Sequence, residues 1–196
     1  MSKGRLEAFS DGVLAIIITI MVLELKIPHG GGLETLLPLC PVFFGYVLSF
    51  VYVGIYWNNH HHMLHATRKV SGGVLWANLH LLFWLSLIPV VTGWVGGAPF
   101  MPWPTAAYGL VLFMSGLAWL ILQGRIIAAN GGADSDLARA IGRDLKGKSS
   151  AVGYIAAIAF AFVVPSVSYL LYLAFALVWL VPDRRIEARL EQVAEK

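Results

Sequence analysis

Between Lys69 and Arg125 the chain carries no aspartate, glutamate, lysine or arginine. Such charge-free stretches recur along its 196 residues. A helix crosses the hydrocarbon core of a bilayer in ~20 residues, and several of the apolar runs reach that length. The chain therefore reads as an all-α polytopic membrane protein and not as a soluble domain with one anchor. Composition agrees, with 13% charged residues where soluble domains hold about 25%.

Breakers divide the chain. The expected spans are 6–27, closed by Pro28; 39–65, stopped by Arg68 and Lys69; 74–96, with Pro89 inside; and 105–128. Each junction holds glycine or proline, as in "HGGG" after Pro28 and "GGAPFMPWP" at 96–104. The hydrophilic segment 129–150, with Asp134, Asp136, Arg139, Arg143, Asp144, Lys146 and Lys148, reads as a solvated surface helix. Residues 151–181 fit either one long span or two short ones, 150–164 and 166–182, hinged at "PSVS".

Basic residues crowd the cytoplasmic side of a membrane protein. Six crossings put thirteen of the fourteen lysines and arginines on one side, with only Lys26 opposite. Five crossings would move the last four across. The expected layout is thus one domain of six spans with both termini cytoplasmic. Trp94, Trp103 and Trp179 near span ends suit interfacial belts. The first span has no small-residue cleavage site and reads as retained structure. Cys40 stands alone, so no intrachain disulfide is available.

The first span has two faces. Counting about 100° per residue, Ile20, Leu23 and Ile27 fall within about 40° of Ile16, and Thr19 about 60° away, on the flank. Asp11 falls about 140° from that stripe. Such a stripe fits lipid, a neighbouring helix, or the wall of a pore gated by dewetting, and spacing alone leaves the three open. Asp11 says more, because an ionisable group inside a span is costly unless it is paired or meets water. Asp11 lies about 8 Å deep by residue rise, and His61 and His80 about 10 Å. One polar layer is expected, joining Ser10 and Asp11 to histidines of spans two and three, with Arg5 as its cap. Its simplest role is to fix the rotation of the first helix, with a proton relay as the alternative.

Arg5, Phe9, Ser10 and Asp11 form R-x-x-x-F-S-D. With Trp57, Asn59, His60 and His61 as W-x-N-H-H, this resembles the transmembrane protein 175 family, the endolysosomal potassium channels and their bacterial homologues. The resemblance implies a homotetramer in the bacterial inner membrane whose first helices line a central, potassium-permeable pore. It implies that Ile16, Ile20 and Leu23 form the constriction and gate, that the Thr19 hydroxyl assists selectivity, and that the F-S-D, arginine and histidine residues form a network behind the pore. Either His60 or His61 fits the partner of Asp11. The chain departs from the family in Leu64, where an aromatic is common, and in the added His62 and His65.

The expected partners are potassium ions, lipid and further copies of the chain, with no nucleic acid, cofactor or metal. The second reading is a proton-coupled transporter using Asp11 and the span-two histidines. Mid-membrane positions, however, read as almost entirely apolar, and no inverted repeat is visible. A membrane metalloenzyme could use the i, i+4 pair His61 and His65, but too few further ligands exist for such a site. The chain is therefore not expected to be an enzyme. Glu24, near the far mouth, reads as a solvated carboxylate that could also concentrate cations.

Overall fold

The computed structural model describes residues 2–26, 32–135, 138–139, 142 and 145–181, and every regular element among them is helical. The seven α-helices described are α1 (Lys3–Val22), α2 (Cys40–His65), α3 (Gly72–Ser86), α4 (Ile88–Gly97), α5 (Pro102–Ala129), α6 (Leu145–Phe160) and α7 (Pro165–Leu180). A 3₁₀ turn, Leu33–Leu39, leads into α2. By length and composition, Leu33–His65, Gly72–Gly97 and Pro102–Ala129 can each cross a membrane.

Proline sets several of these boundaries. It occupies the first turns of α2, α4, α5 and α7, where the missing N–H costs nothing. The same chemistry interrupts the helix inside the expected 74–96 span, which remains one candidate crossing, Gly72–Gly97. Pro89 cannot donate to the preceding turn, so the helix interrupts at Leu87 and resumes as α4. The "PSVS" stretch is not itself the hinge. The chain turns at residues 161–164, and Pro165 opens α7. The first helix is also shorter than 6–27. After Val22 the N–H groups of Leu23, Glu24 and Leu25 bond three residues back, a tightening final turn. Ile27, Pro28, Asp136, Arg143, Asp144 and the last basic cluster, from Arg184 to Lys196, lie outside the described residues.

The helices pack as two linked groups. Helix α1 lies against α2, α3 and α4, while α5 contacts α3, α4, α6 and α7. Helices α6 and α7 run antiparallel, with Trp179 Nε1 donating to Ser150 Oγ at 2.8 Å and Ser168 Oγ to the Ala157 carbonyl at 2.6 Å. In lipid, helices gain little by hiding apolar surface from one another and rely on close approach and hydrogen bonds. Gly96 supplies such an approach, since a Cβ there would stand 3.1 Å from Val42 Cα. At the N-terminal end of the bundle, Asn130 accepts from the backbone N–H groups of Arg68 and Lys69 and donates to the Lys69 and Ile126 carbonyls. It thereby ties the α2–α3 connection to the end of α5.

The interior is less apolar than expected. Ser49 Oγ lies 2.7 Å from Thr92 Oγ1 and 3.0 Å from Tyr108 Oη. Tyr52 donates to the Tyr172 carbonyl and Tyr172 to that of Thr105. Tyrosine counts as apolar in a sequence average, yet its hydroxyl needs a partner once buried. These hydroxyls spend their hydrogen bonds on helix carbonyls and on one another.

Candidate functional site

Helix α1 turns two distinct faces to its surroundings. Leu6, Ser10, Leu14, Ile17 and Met21 are buried at helical spacing. Opposite them, Phe9, Ile16, Ile20 and Leu23 are exposed, Ile16 at 57% and Leu23 at 77%. The Ile16, Ile20 and Leu23 stripe is therefore absent from this chain's own core. Leu23 sits one residue past the helix, in its closing turn. Thr19 is exposed on the same side, and its hydroxyl donates to the Ile16 carbonyl at 2.9 Å. That leaves the oxygen lone pairs facing outward.

Behind this stripe, α1 is fixed by polar contacts in two tiers. The buried tier runs from α1 through α3 to α2. Ser10 Oγ donates to the Leu6 carbonyl at 2.9 Å and accepts from Asn78 Nδ2 at 2.9 Å. Asn78 Oδ1 lies 2.7 Å from His60 Nε2. An amide oxygen can only accept, so His60 donates to it from Nε2. Its Nδ1 is buried with no partner. Ser10 and Asn78 are fully buried and His60 nearly so.

The outer tier is half exposed. Trp57 Nε1 donates to Asp11 Oδ1 at 3.1 Å, and Glu7 pairs with His61 at 3.3 Å. The His61 ring stacks between those of Trp57 and His65, and Lys3 Nζ donates to the His65 carbonyl at 2.7 Å. Helices α1 and α2 are thus cross-linked over about two and a half turns at the N-terminal end of the bundle.

This arrangement differs from the expected layer in four respects. Asp11 bonds to an indole and not to a histidine. His60 and His61 are adjacent and point about 100° apart, so one enters the core and the other stays at the surface. His80 does not join the layer, because it accepts from Trp84 within α3 at 2.9 Å. Arg5 is exposed and makes no bond among the described residues, so it caps nothing there. Asn78, Glu7 and Lys3 escaped the sequence reading. Asn78 stands two residues before His80, about 200° around the helix, and an amide in so apolar a run was the available signal. Glu7 lies one turn before Asp11, and that spacing was legible as well. Among the described residues no group of three or more histidine, cysteine or acidic side chains could hold a metal.

Comparison with known proteins bears on the site directly. The family described as "Endosomal/lysosomal potassium channel TMEM175" matches residues 5–89, which include the stripe, the buried tier and all of the outer tier but Lys3. A protein of Chryseobacterium sp. (strain P1-3) named as a potassium channel is 53% identical over 192 residues, covering 98% of this chain and all of the relative. The Homo sapiens protein named as an endosomal/lysosomal proton channel is 33% identical over 120 residues, which is 22% of its length. The fold resembles the crystal structure of a lysosomal potassium-selective channel TMEM175 homolog from Chamaesiphon minutus, with a TM-score of 0.79 and 25% identity over 90% of this chain and 95% of that one. Members of this family are channels, not enzymes, and the chain is an integral multi-pass membrane protein. With a relative this similar along its entire length, the chain belongs to the TMEM175 channel family.

Proposed function

We propose that four copies of this chain surround a potassium-permeable cation pathway lined by α1, in the inner membrane of a bacterium, with six crossings per copy and both termini cytoplasmic. The observation that carries this reading is the outward stripe of Ile16, Ile20 and Leu23 on a helix whose opposite face is bonded into its own subunit. A helix anchored so firmly on one side presents the other at a fixed rotation. Repeated about an axis, the stripe becomes stacked apolar rings. A cation crossing such rings must shed part of its water, and potassium holds its shell less tightly than sodium. Selectivity is modest, because no ring of carbonyls replaces the lost shell. The free lone pairs of Thr19 recover part of it. The names of the bacterial relatives support potassium as the permeant ion.

A proton-coupled transporter working through Asp11 finds less support. An indole N–H donates and offers no lone pair in return, so Trp57 does not pass a proton onward from the carboxylate. The reading is tested by reversal potentials of reconstituted liposomes, potassium on one side and sodium on the other, for wild type and Ile16→Asn. Reversal toward the potassium potential, with a larger and less selective current in the variant, supports it. A folded oligomer with no cation current in either form would refute it.

A further inference from the structure

A second feature lies away from α1. Helices α2, α5 and α6 part to leave an apolar slot of about 710 Å³, counted out to its open side. The slot opens beside the exposed Leu117, and Trp119 and Trp179 form two of its walls. Its deep end is closed by Tyr52 and Tyr154, whose hydroxyls meet each other at 3.3 Å. Apolar cavities offer water too few partners to hold it, so the slot suits a hydrocarbon occupant.

The mouth has a different chemistry. It lies at the N-terminal end of the bundle, where α2 ends and α6 begins, and Asn59 and Ser150 line it. Ser150 Oγ accepts from Trp179 Nε1, which leaves its own hydrogen to donate. Lys146 Nζ stands 5.7 Å above the Trp179 ring and donates to the Val181 carbonyl at 3.0 Å. An ammonium has three donors, so two remain for a ligand.

We infer that this slot is a specific site for an anionic phospholipid of the leaflet at the N-terminal end, one acyl chain lying between Trp119 and Trp179 and the headgroup phosphate meeting Lys146 and Ser150. Apolar walls select a hydrocarbon chain, and Lys146, the cation fixed beside the mouth among the described residues, selects the charge. The contact also links α6 and α7 to α2 through the ligand, at the end of the bundle where α2 is bonded to α1. This assignment is independent of the pore reading.

The test uses tryptophan quenching in vesicles of dioleoylphosphatidylcholine doped with a small fraction of phospholipid brominated on its acyl chains, which quenches indoles on contact. Brominated phosphatidylglycerol is expected to quench with roughly fivefold the apparent affinity of brominated phosphatidylcholine, the factor one lysine near an anionic headgroup provides. Lys146→Gln should abolish that preference, and Trp119→Phe with Trp179→Phe should remove the selective component. Filling the slot with Ala151→Phe should do the same, and the solvent-facing Lys146→Gln keeps the test decisive if that variant does not fold. Equal quenching by the two lipids in wild type would overturn the assignment and leave only unselective annular lipid. Displacement by soluble glycerophosphate would overturn it too, by showing that the mouth binds phosphate without a chain.

Discussion

The indole N–H of Trp57 donates to Asp11 Oδ1 at 3.1 Å, so a ring on α2 holds the aspartate of α1. The contact is half exposed, whereas the Ser10–Asn78–His60 chain beside it is sealed in the core. The two tiers should therefore differ in what they do. The buried one holds α1 in place, and the exposed one is cheap enough to rearrange when α1 moves.

Trp57→Phe keeps the ring and loses the donor. A hydrogen bond between membrane helices is worth ~0.6–1.7 kcal/mol, so the melting temperature in detergent should fall by only a few degrees. The liposome current should change by more than that loss implies, if the Asp11 contact sets the rotation of α1. An unchanged current alongside the lowered melting point would show that the contact is adhesive only.

Asn78→Leu leaves the buried His60 Nε2–H without an acceptor. Stranding such a group costs about 1–3 kcal/mol, whereas replacing both partners by apolar groups is nearly neutral. Adding His60→Leu to Asn78→Leu should then recover part of the stability lost by the single variant. Thermal denaturation of the three proteins settles this, and strictly additive losses would contradict the bonding assigned to the pair.

The two adjacent histidines should respond unequally. The Glu7–His61 pair has side chains 25% and 49% exposed, and even a full ion pair at such a site contributes only ~0–1 kcal/mol. Glu7→Gln and His61→Ala should each stay within that range. His60→Ala removes a buried ring and strands Asn78, so its melting point should fall clearly further. A larger loss at His61 would reverse the assignment of inner and outer tiers.

Two glycines of α5 make a matched pair. A Cβ on Gly109 would run into the Tyr172 hydroxyl, with Ile158 Cγ1 2.9 Å away. Gly124 has nothing within 4 Å of its Cβ position. Gly109→Val should cost ~1–3 kcal/mol or more by overpacking and reduce the yield of folded protein on size exclusion. Gly124→Ala should be neutral or stabilise by up to about 1 kcal/mol.

Much of the site was legible from spacing. The 3.6-residue period placed Ile16, Ile20 and Leu23 on one stripe, and the structure leaves that stripe exposed. Depth counting put Asp11, His61 and His80 in one layer, whereas the buried chain joins Ser10 to His60 through Asn78. Partner choice was not legible. Residue rise gives height along the membrane but says nothing of azimuth between helices, so His80 looked as suitable as Asn78. Only the packing of α3 against α1 turns the amide inward and leaves His80 to Trp84. The break at Leu87 was half visible, since Pro89 was read inside a span without its consequence for the preceding turn.

By itself the sequence determined that the chain lives in a membrane, because apolar runs with so little charge cannot be solvated, and that α1 has one face unlike the other, because helical period is a local property of the backbone. Tertiary structure alone decided which face α1 buries, which of two adjacent histidines enters the core, and that a tryptophan and an asparagine hold Asp11 and Ser10. Those choices depend on the rotation of one helix against another, which is set by close packing across residues far apart in the chain and leaves no periodic trace in any single segment.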